Sequence, residues 1–235
     1  MQEHQLAELI GQYADLYIFN NRRETMDVLK AAQVLATFDS AKYYTEHMLQ
    51  VRNFDNKENL LAYCVSQLDP QRAGLALEFG VASGKTINHI AGFHPGLVYG
   101  FDSFQGLPET WRTGFEQGAF AGELPSVASN VELVVGWFEE SLKTFAPLQE
   151  QEVSFIHMDC DLYSSTKTVF EHTAPRFAED VWIVFDEYWN YPGWQAHEHK
   201  ALQELVAVTG MSYEYVGIVA NSQQVAVKIH NPHHG

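Results

Sequence analysis

The sequence predicts an open α/β domain built on a mostly parallel sheet. Three observations predict it. Five short apolar runs alternate with stretches of helical spacing, the pattern of parallel strands joined by crossover helices. The first run, Leu75-Ala76-Leu77-Glu78-Phe79, leads straight into a glycine turn and a helix, the local build of a nucleotide site in such sheets. Two closing runs, 212–219 and 224–229, are separated by Asn221-Ser222, a hairpin-like connection that adds an antiparallel strand near one edge.

Bulk properties narrow the class. At 235 residues the chain fits one domain with additions, and 46% hydrophobic against 19% charged content suits a globular protein with a substantial core. The net charge of -16 argues against a nucleic-acid partner, which wants clustered Lys and Arg, and fits cationic ligands or a bound metal. Cys64 and Cys160 have neither metal-ligand spacing nor the look of a disulfide framework. Met1-Gln2-Glu3-His4 opens no signal peptide, and no apolar run reaches membrane-spanning length. The expected setting is the cytoplasm, with no membrane partner.

In chain order, 1–70 reads as a helical extension and 71–235 as the sheet domain, divided at Asp69-Pro70 and Gly74. Leu6, Leu9, Ile10, Tyr13, Leu16 and Tyr17 make one stripe, and Met26, Leu29 and Val34 sit in a second helix. Asp55 or Asn56 caps a third, which carries Leu60, Leu61, Cys64, Val65 and Leu68. No chemistry is legible in this extension, which is expected to pack on the domain or make a homo-oligomer contact. The helix from Thr86 carries Ile87, Ile90 and Ala91 inward, and 97–102 is the second strand, ending in Asp102. Residues 103–128 are rich in glycine, proline and aromatics and read as a substrate-facing loop with short helical pieces. Strands follow at 131–135, 153–159 and 181–186, with helices reaching about Phe177 and from about Gln195 to Val208.

Three ligands compete for the first turn. A dinucleotide site needs Gly-x-Gly-x-x-Gly, and Glu78-x-Gly80-x-x-x-Gly84 lacks it. A P-loop needs four residues between its glycines before Lys-Ser/Thr; Val81, Ala82 and Ser83 leave Lys85-Thr86 one short. S-adenosylmethionine fits better, since it brings an ammonium, a sulfonium and a ribose but no phosphate. Glu78 suits its positive methionine end, and Asp102 ends the second strand where a carboxylate can accept from ribose hydroxyls.

Asp159, Asp161, Asp186 and Glu187 fall at the ends of strands four and five, where strand C-termini meet the crevice. Four acids together repel one another unless a hard cation such as Mg²⁺ or another divalent ion joins them. Asp161 also suits a cap for the helix that follows. His157, two residues before Asp159, reads as a base or a core residue; His197 and His199 fall on different helix faces, and His230, His233 and His234 in a terminal tail. Trp111, Phe115, Phe120, Trp137, Trp189, Tyr191 and Trp194 fall on loops at the site end, as pocket wall, adenine neighbour or packing.

Four segments together carry a family resemblance: Glu78-Phe79-Gly80-Val81-Ala82-Ser83-Gly84; Gly100-Phe101-Asp102-Ser103-Phe104-Gln105-Gly106-Leu107-Pro108; Asp159-Cys160-Asp161-Leu162-Tyr163-Ser164-Ser165-Thr166; and Asp186-Glu187-Tyr188. The chain resembles the class I S-adenosylmethionine-dependent methyltransferases, and within them the macrocin O-methyltransferase family. The resemblance implies a Rossmann-like, doubly wound, seven-stranded sheet with an antiparallel last strand. It implies Mg²⁺ held by Asp159, Asp186 and Glu187, the last standing where relatives tend to carry a second aspartate. The donor would contact Glu78, Gly80, Ser83, Gly84, Asp102, Ser103 and Trp137, and Asp159 would assist deprotonation of an acceptor hydroxyl on a small molecule, a sugar or natural product. The rival expectations are a non-catalytic S-adenosylmethionine-binding regulator and a P-loop-type nucleotide binder.

Overall fold

The structure, a computed structural model, describes residues 8, 10–13, 27–69 and 74–234. Of the first predicted stripe, Leu6, Leu9, Leu16 and Tyr17 lie outside the described residues, as do Met26 and Pro70.

Seven strands form one sheet: β1 Leu75–Phe79, β2 Val98–Asp102, β3 Val131–Val135, β4 Val153–Met158, β5 Phe177–Phe185, β6 Ser212–Ile218 and β7 Val225–His230. Their order is β3-β2-β1-β4-β5-β7-β6. The first five pair in parallel. Only β7 runs against its neighbours, inserted between β5 and β6, so the expected antiparallel strand lies one in from the edge. From β1 the chain builds outward through β2 and β3, then returns to lay β4 on β1's other side. That reversal opens a crevice beyond the ends of β1 and β4, where open α/β sheets bind ligands.

The helices are α1 Val28–His47, α2 Lys57–Ser66, α3 Lys85–Phe93, α4 Phe138–Thr144, α5 Pro147–Glu150, α6 Tyr163–Thr173 and α7 Glu198–Thr209. Strand alternation sorts the core into two layers. Leu75, Leu77 and Phe79 face one way, with Leu142 of α4, Val169 of α6 and Leu202 of α7. Ala76 faces the other, against Leu60 and Leu61 of α2 and Ile87 and Ile90 of α3. Full burial of such Leu and Ile side chains contributes roughly 1.5–3 kcal/mol each. Asn56 caps α2, its Oδ1 accepting from the Asn59 N–H at 2.8 Å. In α1, capped by Asp27, Ala36 and Ser40 are the buried positions; Leu29 falls in this helix as expected and is left 70% exposed.

Two boundaries move. Pro175, in a 3₁₀ turn at Ala174–Arg176, stops the α6 helix early, so β5 starts at Phe177 rather than Val181. The helical pieces expected in 103–128 are absent; turns and one bridge, Arg112 to Phe115, take their place, because Gly106, Gly114 and Gly118 adopt positive φ. Cys64 and Cys160 are buried free thiols. Among the described residues no helix is long and apolar enough to cross a membrane.

Candidate active site

The crevice holds a cavity of about 860 Å³, whose walls include Gly80, Ser83, Asp102, Ser103, Trp137, Asp159, Asp161, Asp186 and Glu187. Gly84 stands just behind, as the left-handed cap of α3 (φ 76°). Gly80 (φ 94°) lies so close to β4's continuation that an added Cβ would stand 1.7 Å from the Asp159 carbonyl oxygen. The turn is braced by Asp102. Its Oδ2 accepts from the Val81 and Ala82 N–H groups at 2.9 and 2.8 Å, and its Oδ1 from Phe104 N–H at 2.7 Å. Three of its lone pairs are therefore committed to the backbone, which leaves little for the two ribose hydroxyls it was expected to hold. Lys85, the would-be phosphate lysine, instead pairs with Glu58 at 3.1 Å, its side chain 80% exposed.

Glu78 departs from expectation. It does not line the cavity; it is fully buried, with Oε1 2.8 Å from Nδ1 of His157. The reason is register. Glu78 sits beside His157 in the β1–β4 pairing, and both occupy alternate positions to the Phe79 and Met158 face. Burial works against a charged His157, but Asp186 and Glu78 outweigh it and push the imidazole up to about 10. Burial also pushes Glu78 up, to about 7. The other ring nitrogen of His157, Nε2, lies 3.7 Å from Asp186 Oδ1, a charge contact too long for a hydrogen bond.

Two of the strand-end acids, Asp159 and Asp186, converge, whereas Asp161 and Glu187 are not part of the same close group. Asp159, Asp186 and His157 bring ligand atoms within 4.8 Å of one another. Burial and the neighbouring Asp186 charge push Asp159 up to about 7 and Asp161 up to about 6. Burial also pushes Glu187 well up, and its Oε2 is buried with no hydrogen-bond partner. Asp186 goes the other way: although burial opposes it, His157 and Lys57 hold its carboxyl well below the usual range. Asp161 takes a left-handed backbone (φ 62°), as do Ala82 and Phe120, which also border the cavity. Strain of this kind persists where surrounding structure over-determines it, often at functional sites. Asp161 does not cap α6, whose Leu162 cap position carries no side-chain bond.

Two residues escaped sequence reasoning. Lys57, first in α2, places Nζ 2.8 Å from Asp186 Oδ1 and 3.5 Å from Asp159 Oδ2. Its position just after a helix cap reads as an ordinary solvated charge. Glu198, at the start of α7, is fully buried and accepts from the Glu187 N–H at 3.0 Å. Burial pushes its carboxyl well up. Lys57 lies far from the acids in sequence, and Glu198, 11 residues after Glu187, reads as an ordinary first-turn acid of α7.

The 103–130 loop forms the opposite wall. Trp111 and Phe115 lie 5.3 Å apart, Phe120 stacks on Phe115, and the Arg112 guanidinium covers the Trp111 ring at 3.9 Å. Trp189, Tyr191 and Trp194 are buried in the core instead. His230 ends β7 and pairs with Asp180 at 2.7 Å, rather than lying in a loose tail.

Residues 77–188 match the family described as a methyltransferase domain. This segment is a methyltransferase domain. Among solved structures, the chain is similar to the O-methyltransferase NovP (19% identity, TM-score 0.57), with 74% of this chain and 79% of that one covered. It is similar too to the calicheamicin methyltransferase CalS11 (17%, TM-score 0.55), over 95% of this chain and 90% of that one. At such identities the likeness is one of fold, and it agrees with the methyltransferase sheet read from the sequence. The curated proteins contain no match to the chain.

Proposed function

We propose that the methyltransferase domain is a metal-dependent O-methyltransferase, moving a methyl group from S-adenosylmethionine to a hydroxyl of a small molecule, a sugar or natural product. One observation carries the reading: the glycine turn at the strand-order reversal opens into the same cavity as Asp159, Asp161, Asp186 and Glu187. Binding a donor alone does not call for those acids, which favours an enzyme over a non-catalytic binder. NovP and CalS11, methyltransferases by name, support the same choice.

In this reading Gly80, Ser83, Gly84, Ser103 and Trp137 form the donor's seat, with Asp102 holding the turn open and Glu78 acting from beneath through His157. Asp159, Asp186 and Glu187 would hold a divalent ion, for which the converging carboxylates and the orphaned Glu187 Oε2 are a suitable oxygen set. Such an ion, when bound, lowers the pKa of a coordinated hydroxyl. Asp159, which faces the cavity beside Asp186, would be the group that takes the proton of the acceptor hydroxyl. The rest of the rate comes from alignment, since methyl transfer is an in-line displacement. Residues 1–70 serve as a helical extension, packing on the domain 71–235 or joining a second copy. The free buried thiols suit a reducing cytoplasm.

The test is calorimetry with S-adenosylmethionine, followed by transfer assays on hydroxylated acceptors with Mg²⁺ or chelator. Asp186→Ala is expected to abolish turnover while donor affinity stays within about threefold, a difference under 1 kcal/mol. Full activity in chelator removes the metal from the account, and absence of donor binding removes the function.

A further inference from the structure

We propose that Lys57 is the resident counter-cation of the acid cluster, and that a divalent ion loads only by displacing it. The inference rests on the metal reading of the same site, and it concerns a residue outside the matched segment 77–188.

Three observations support it. First, Lys57 bridges Asp159 and Asp186, two of the carboxylates in the proposed ion site, at 3.5 and 2.8 Å. An ammonium and a divalent ion sharing those carboxylates repel strongly across a partly buried gap. Second, Lys57 is the first residue of α2, where the helix dipole disfavours a cation. Its place there is offset by the acids it reaches across the chain. Third, Lys57 has somewhere to go. It borders both the main cavity and a smaller one of about 310 Å³ between α2 and α3, which also touches Glu58 and His89. A flexible four-carbon stem can carry the ammonium from one to the other.

Asp159 and Asp186 thus keep a counter-charge without metal, and ion entry reports to α2, an element the matched domain does not include. Lys57 is a positioning residue in this scheme: it holds the two carboxylates together when the ion is away and withdraws when it binds.

Metal-stripped full-length protein would be titrated with Mn²⁺, following heat and the electron paramagnetic resonance of free ion. Lys57→Met removes the charge and Lys57→Arg keeps it. The Met variant is expected to bind Mn²⁺ at least about tenfold more tightly than the unaltered protein, the scale of losing one close competing charge. The Arg variant should bind no more tightly. Equal or weaker binding by the Met variant overturns the proposal, as does absence of Mn²⁺ binding in every variant. Circular dichroism melting checks folding, and Lys57→Gln carries the same comparison should the Met variant not fold. S-adenosylmethionine titrated into the same samples separates the two readings. Donor binding with no Mn²⁺ difference overturns the role of Lys57 alone. A Mn²⁺ difference without donor binding supports that role and overturns the methyl-donor function.

Discussion

Gly80 and Asp159 meet where the ends of β1 and β4 almost touch, and a single added carbon on Gly80 would stand 1.7 Å from the Asp159 carbonyl. The glycine turn and the acid cluster are therefore one mechanical unit: the residue that lets the chain turn also lets the first acid reach the crevice. Its φ of 94° adds a backbone reason for glycine.

Gly80→Ala is expected to destabilise the protein by about 2–4 kcal/mol, from overpacking and from the left-handed backbone together. Urea unfolding measures it. A midpoint equal to that of the unaltered protein would mean that the two strand ends separate freely, and the close coupling would be wrong.

Asp102 organises the turn by accepting three backbone N–H bonds. Asp102→Ala leaves those donors without their acceptor, at about 1–3 kcal/mol for each one that stays shielded from water. Donor affinity should fall more than about tenfold, and Asp102→Asn, which retains one acceptor oxygen, should lie between. Melting temperature and calorimetry read the two effects. Undiminished donor affinity in Asp102→Ala would show that the turn holds its shape unaided.

Stability without metal should fall as pH rises. Burial and Asp186 raise Asp159 to about 7 and Asp161 to about 6, so the folded chain holds protons that the unfolded chain has already released above the usual carboxylate range. His157 has the same sign at higher pH: burial opposes its charge, Asp186 and Glu78 prevail, and its contribution is lost as pH climbs through about 10. Asp186, held low, has the opposite sign, but its contribution is complete above the usual carboxylate range and lost only on acidification. With chelator present, the urea midpoint should therefore be higher near about pH 5.5 than near about pH 8.5. A midpoint that climbs across that window would show the acids ionised throughout.

By itself the sequence determined the order of strands and helices, the glycine turn and the acids that end β4 and β5. Those features are local: periods of two and 3.6 sort strand from helix, and strand C-termini in a parallel sheet share one rim. Leu60, Leu61, Ile87 and Ile90 were legible as core for the same reason, and all four are fully buried. Tertiary structure alone decided that Glu78 turns away to His157, that Asp102 spends its oxygens on the turn, and that Lys57 enters the acid cluster. Each depends on which strands lie side by side and which helix covers them. Residues 57 and 186, far apart along the chain, meet because α2 lies against the face that carries Glu78 and His157. Side-chain spacing within either segment holds no trace of that contact, since a charge at a helix start looks the same whether it faces water or a buried carboxylate.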